Sequence, residues 1–274
     1  MNKFNLNSIS PIDGRYYNKT EVLSEYFSEK ALIFYRLKVE IEYFISLCNL
    51  GIPQLKNFDH SKFDELRKIY LNFSNEDAIE VKRIEKITNH DVKAVEYFIK
   101  DKFETLNISE FKEFIHFGLT SQDINNSAIP LSIKDFIDNV YMPKIQEVLS
   151  AIDNKCEELK DVTIIARTHG QAASPTKLGK EFKVFWTRIN EQIKSLKNIP
   201  NSAKFSGAVG NFNAHKVAYP EIDWKKFGKN FIENELGLNY SFPTTQIEHY
   251  DSFAALCDNC RRINNILLDM CVDI

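Results

Sequence analysis

No stretch of this sequence stays apolar for the roughly 18 residues that a membrane-spanning helix needs. The residues nearest the N-terminus also lack the apolar core of a secretory signal. Membrane and export classes are therefore set aside, and a cytoplasmic location is expected. A basic excess is missing too. The formal net charge is -3, whereas binding a phosphate backbone needs a surplus of cations. That disfavours a nucleic-acid partner but leaves room for a small anionic ligand, which needs only a few local cations. Cysteine is sparse: Cys48, Cys156, Cys257, Cys260 and Cys271 are an odd, scattered set and not a disulfide framework. Cys257-Asp-Asn-Cys260 has the spacing of a redox motif, but it lies inside a helical pattern, where free cysteine packs as a small hydrophobe. With no second Cys or His pair at ligand spacing, structural zinc is not expected. Strand-like alternation is scarce, and neither a solenoid repeat nor a low-complexity segment occurs.

What the chain does have is length and helical periodicity. Its 274 residues, 43% hydrophobic and 27% charged, are ordinary for a soluble globular protein with a substantial core, in one large or two moderate domains. Residues 1–20 are irregular, with Pro11 and Gly14 favouring a turn. Leu32, Ile33, Leu37, Ile41, Phe44 and Ile45 recur at spacings of three and four and predict a helix within 21–50, stopped by Gly51 and Pro53. A short helix follows within 58–73, and Ser74 with Asp77 resembles a capping box. The clearest helix begins near Pro143, with Ile145, Val148, Leu149, Ile152, Cys156 and Leu159 in one stripe. Phe182, Phe185, Trp186, Ile189, Ile193 and Leu196 form the next. The last stripe, Phe253, Leu256, Cys257, Cys260, Ile263, Leu267 and Met270, runs up to Ile274 with no glycine cap, as in a piece of a longer chain. Residues 219–240 read as surface-like and hold Trp224 and Phe231. Residues 206–211, Ser-Gly-Ala-Val-Gly-Asn, read as a loop where backbones approach closely, outside the strand–turn–helix setting of a dinucleotide site. The expected fold class is all-α, a bundle of long helices.

Polar islands interrupt this pattern. Arg167-Thr168-His169-Gly170-Gln171 sets a titratable imidazole among an arginine, a hydroxyl and an amide, and reads as a break between two helices. Arg15-Tyr16 is either a surface cation beside a packed ring or a fork and phenol suited to phosphate. Asn89 or Asp91 can cap the helix carrying Tyr97 and Phe98, which would place His90 beside a helix N-terminus, a natural anion seat. Thr120-Ser121-Gln122-Asp123 is either a capped loop or a hydrogen-bonding shelf for a polar ligand.

These islands, with Ser10-Pro11-Ile12-Asp13-Gly14 ahead of Arg15 and Thr244-Thr245-Gln246-Ile247-Glu248 near the end, occur in one order along the chain. In that order the sequence resembles the adenylosuccinate lyase family, of the bacterial purine-biosynthesis type, within the aspartase/fumarase superfamily. The resemblance implies an N-terminal helical domain, 1–111, and a central helical-bundle domain, 112–274, truncated before the family's signature loop and C-terminal domain. It implies elimination of fumarate from adenylosuccinate to give AMP, and from the succinylated aminoimidazole carboxamide ribotide, with no metal and no cofactor. It implies His169 as general acid toward the leaving nitrogen, and Arg15 and Tyr16 on the nucleotide at its phosphate. Asn89, His90 and Asp91 would form a second substrate-binding segment, Thr120 and Ser121 would hold the succinyl carboxylates, and Gln246 would contact the substrate. A homotetramer with shared active sites is implied as well. Ala172 and Ala173 depart from the family's proline after Thr-His-Gly-Gln. The family's catalytic serine base lies on the signature loop, so the 274 residues alone are expected not to turn over. Other fumarate-forming lyases of the superfamily, and an inactive helical scaffold, are the competing readings.

Overall fold

The computed structural model describes residues 7–274; residues 1–6, part of the expected irregular start, lie outside it. In chain order the elements are α1 (Tyr17–Thr20), α2 (Ser24–Phe27), α3 (Glu29–Asn49), α4 (Phe63–Leu71), α5 (Asn75–Thr88), α6 (Asp91–Thr105), α7 (Ser121–Phe136) and α8 (Met142–Glu158). There follow β1 (Thr163–Thr168), β2 (Gln171–Lys177), α9 (Leu178–Lys197), β3 (Ser202–Ala203), α10 (Asn213–Ala218), α11 (Trp224–Asn230), β4 (Asn239–Tyr240) and α12 (Asp251–Asp273). This is the expected helical class, with short strands added. The chain divides into two compact units, Met1–Phe136 with Ser202–His249 and Ile137–Asn201 with Tyr250–Ile274. The expected boundary between 111 and 112 falls inside the first unit, so compact units and expected domains are cut differently.

The first unit is built on α3. Ser28 opens it, its Oγ accepting the Ala31 N–H at 3.1 Å, and Gly51, at φ 78°, stops it ahead of Pro53. Ile33, Leu37, Ile41, Phe44 and Leu47 are all buried. Because α4, α5, α6 and α7 all pack against it, α3 is buried on nearly every side rather than along one stripe. Phe44 meets Phe58 and Phe103 edge-on at 5.3 and 5.0 Å between ring centres. The Ser74–Asp77 capping box forms as expected at the head of α5. The surface-like reading of 219–240 is corrected: Trp224 and Phe231 are 0% and 1% exposed. Trp224, Phe227 and Phe231 make a stripe on a helix whose intervening lysines stay outside, so local polarity hid it. The close approach expected at 206–211 is present. Gly210 sits at φ 83°, and a Cβ there would collide with the Thr244 carbonyl.

The second unit packs α8, α9 and α12 around Ile145, Leu149, Ile152, Ile189, Ile193 and Ile263. Two stripe members miss this core, since Phe253 is 45% exposed and Cys257 is also exposed, while Cys260 is half-buried against it. The expected break between helices lies between α8 and α9 and takes the form of an antiparallel hairpin, β1 paired with β2, closing on Thr168 opposite Gln171. Val162, Thr163, Ile164 and Ile165 are a β-branched run, which favours extended backbone. His169 and Gly170 form the two-residue turn at φ 51° and 73°, the left-handed pair that matches strand twist. Pro175 fits because a two-stranded ribbon consists only of edges.

Candidate functional site

The first unit joins three of the sequence islands to the opening turns of α7. Asp123 is fully buried, and its Oδ2 accepts the Thr120 N–H at 2.9 Å. Its Oδ1 accepts Lys204 Nζ at 2.6 Å and the N–H groups of Ser206 and Gly207 at 2.8 and 3.1 Å. Lys204, also 0% exposed, passes a second bond to the Gly207 carbonyl at 2.6 Å. Burial pulls the Lys204 ammonium below its ordinary pKa, with Asp123 opposing the change. The carboxylate expected on a ligand shelf is thus turned inward onto a charge partner. From here the network reaches the Gln246 loop, where Ser206 Oγ lies 3.2 Å from Thr244 Oγ1 and Asn126 Oδ1 accepts the Glu248 N–H at 3.0 Å.

The capping expected of Asn89 or Asp91 belongs to His90, whose Nδ1 accepts the Lys93 N–H at 3.1 Å and opens α6. Asn89 instead ends α5 in the left-handed conformation, at φ 53°. Asp91 bonds twice, its Oδ1 accepting the Val92 N–H at 2.9 Å and its Oδ2 accepting Arg36 Nη2 at 2.6 Å. Arg36 Nε also donates to Asn125 Oδ1 at 2.9 Å. Arg36, Lys82, Lys86, Asn89, His90 and Asp91 line a cleft of about 640 Å³.

Residues that sequence reading passed over hold these segments. Arg36, Glu40 and Tyr43 stand at i, i+4 and i+7 on α3, a polar row inside an apolar helix. Glu40 Oε1 lies 2.5 Å from His116 Nδ1. Burial works against the His116 imidazolium, but the Glu40 carboxylate outweighs it and raises the pKa above the usual histidine value. Tyr43 donates to the Phe117 carbonyl at 2.7 Å and so accepts from His215 Nε2 at 3.1 Å. That fixes the His215 tautomer and leaves its buried Nδ1 without a partner among the described residues. Burial pushes His215 down to about 4, so its ring is neutral near pH 7. The ring packs over Gly118, where a Cβ would meet it at 2.8 Å. The signal in the sequence was that polar row; a histidine or glutamate alone gives none.

Other predicted site residues are presented rather than spent. Arg15 and Tyr16 are exposed on a turn closed by the Gly14 N–H to the Ser10 carbonyl, 3.0 Å, and the Tyr16 N–H to the Pro11 carbonyl, 2.9 Å. Gln246 is exposed, and Thr120 and Ser121 are half-buried at the head of α7. Among the described residues none of these side chains makes a hydrogen bond or ion pair. His169 belongs to the second unit, exposed at the tip of its hairpin, likewise with no side-chain partner there. No cluster of three or more His, Cys, Asp or Glu able to hold a metal ion occurs among the described residues.

A family model described as lyase matches residues 14–274. The chain belongs to the lyase family. Curated relatives of this lyase include adenylosuccinate lyase of Dictyostelium discoideum, 53% identical over 280 residues that cover 98% of this chain and 59% of that protein. Adenylosuccinate lyase of Legionella pneumophila (strain Corby) is 49% identical, again over 98% of this chain and 59% of that protein. The chain therefore spans less than two thirds of the length of the relatives it matches. A crystal structure of fumarate lyase from Mesorhizobium sp. BNC1 superposes with a TM-score of 0.73 at 19% identity, covering 92% of this chain and 56% of that one. That likeness speaks for the shared lyase fold alone.

Proposed function

We propose that these residues form the nucleotide-binding part and the acid of an adenylosuccinate lyase, which eliminates fumarate from adenylosuccinate to give AMP and from the succinylated aminoimidazole carboxamide ribotide. The observation that carries the reading is the inward turn of Asp123. Its charge is spent on Lys204 and backbone N–H groups, so the head of α7 offers the Thr120 and Ser121 hydroxyls without a competing carboxylate. A helix N-terminus supplied with hydroxyls favours a carboxylate ligand. The names of the curated relatives, at 53% and 49% identity, point the same way.

The chemistry asks for a base at the carbon beside a carboxylate, an acid at the leaving nitrogen, and dipoles for the developing aci-carboxylate. In this reading Thr120 and Ser121 hold the succinyl carboxylates and Gln246 contacts the substrate. Asn89, His90 and Asp91 bound the cleft, and Arg15 with Tyr16 takes the phosphate. His169 protonates the departing nitrogen; a left-handed turn with no competing partner suits a side chain that must meet a ligand. A cytoplasmic homotetramer with shared sites belongs to the same proposal, as does a reaction run without metal or cofactor.

Calorimetric titration of AMP into the 274-residue chain tests it. Binding is expected, and Arg15→Ala should weaken it by about 1.5–3 kcal/mol, the worth of a charge-assisted hydrogen bond. No heat with AMP, adenylosuccinate or fumarate would sink the reading.

A further inference from the structure

We propose that Arg36 is the positioning residue that sets the Asn89–Asp91 segment in register with the first turns of α7, and so shapes the cleft; only the identity of the ligand rests on the nucleotide reading above. The guanidinium is 5% exposed at its side chain and bonds to Asp91 at 2.6 Å and to Asn125 at 2.9 Å. Those acceptors come from α6 and α7, and no hydrogen bond joins Asp91 to Asn125 among the described residues. A planar fork fixes both distance and angle between its acceptors, which a flexible ammonium does not do.

The link runs through to the site side chains. Asp91 is held at both oxygens, by Arg36 and by the Val92 N–H, so its carboxylate cannot turn without releasing one of them. His90, the preceding residue, spends Nδ1 on the Lys93 N–H and thereby keeps one face toward the helix. On the other side, Asn125 lies one turn beyond Ser121 on α7, so its position follows that of the hydroxyl pair. Arg36 also lines the cleft directly. Three attachments thus meet at one buried group: the first residue of α6, the hydroxyl-bearing helix and the cleft wall.

The experiment is amide hydrogen exchange on the wild-type chain, Arg36→Lys and Asn125→Ala, paired with AMP titration of each. Arg36→Lys keeps the charge and removes the fork. The Val92 and Lys93 amides, whose acceptors are Asp91 and His90, should exchange at least ~tenfold faster in Arg36→Lys, with Ile41 and Phe44 of α3 unchanged. Asn125→Ala should loosen the same two amides by a smaller factor, and AMP affinity should fall about tenfold in Arg36→Lys. Wild-type exchange at Val92 and Lys93 in both variants overturns the proposal. So does uniform acceleration that includes α3, the mark of a merely structural role, and so does wild-type affinity in Arg36→Lys, the mark of a charge-only contact. If the wild-type chain binds no AMP while the two amides alone are freed, the nucleotide reading fails and the positioning role is supported.

Discussion

The first turns of α7 and the tip of the β1–β2 hairpin both carry predicted site residues, and the fold treats them in opposite ways. Around α7 three polar side chains are consumed within the fold: Asp123 by Lys204 and backbone N–H groups, Asn125 by Arg36, Asn126 by Glu248. At the hairpin tip His169 is exposed and held only by its backbone. A side chain that must hold a fixed charge in place benefits from a rigid, fully bonded surround. One that must give a proton to an arriving ligand benefits from having no partner to leave.

The sharpest way to break this comparison is to remove the anchor. Asp123→Ala would strand the Lys204 ammonium in a site with no solvent exposure. Losing one partner of a buried pair costs about 3–5 kcal/mol, a large share of the roughly 5–15 kcal/mol that holds an ordinary domain folded, so the urea midpoint of the variant should fall markedly. A loss under about 1 kcal/mol would show that the pair is ornamental to the fold.

The histidines near α7 sharpen the comparison with pH, because they titrate in opposite senses. The folded pKa of His215 lies below its unfolded value, so its neutral burial stabilises the fold above the unfolded pKa, and that contribution is lost as pH falls from 6.5 toward about 4. The full fall corresponds to roughly 3 kcal/mol. For His116 the folded pKa is raised, so its contribution is complete below the unfolded value and is lost as pH rises through the folded one. Glu40 and Glu96 support the imidazolium and Lys93 opposes it. Unfolding midpoints between pH 4 and 9 should therefore decline on both sides, and His116→Gln should flatten the alkaline decline alone. An alkaline decline that persists in His116→Gln would remove the Glu40 pair from the account.

Much of the helical frame was legible because apolar spacing and caps are local: the stop at Gly51, the Ser74–Asp77 box and the stripes of α8 and α9 all stand. The polar row Arg36, Glu40, Tyr43 shows in its spacing alone; what it holds was not legible, since its partners lie 55 to 172 residues away, and nothing local distinguishes a buried glutamate from an exposed one. Residues 219–240 misled for the same reason, their lysines outvoting Trp224. At 163–177 the β-branched run and the His-Gly pair were hairpin signals, but a helical expectation on either side masked them.

The smallest effect on stability is expected at the hairpin tip, and its smallness is what makes it informative. Gly170 sits at φ 73° with nothing near where a Cβ would lie, so Gly170→Ala meets only the left-handed strain of about 1–2 kcal/mol. His169→Ala removes a side chain with no partner among the described residues and should stay within about 0.5 kcal/mol of the wild type. If His169 is the acid, the same substitution in an assembly that turns over should cost about 10²–10⁴ in fumarate release, without moving the unfolding midpoint. A stability loss above about 1 kcal/mol would mean that the imidazole has a structural partner. Unchanged turnover would mean that the proton comes from elsewhere. At Asp123, Asn125 and Asn126 one substitution would change the fold and the site together, because the same bonds serve both; at His169 the two can be separated.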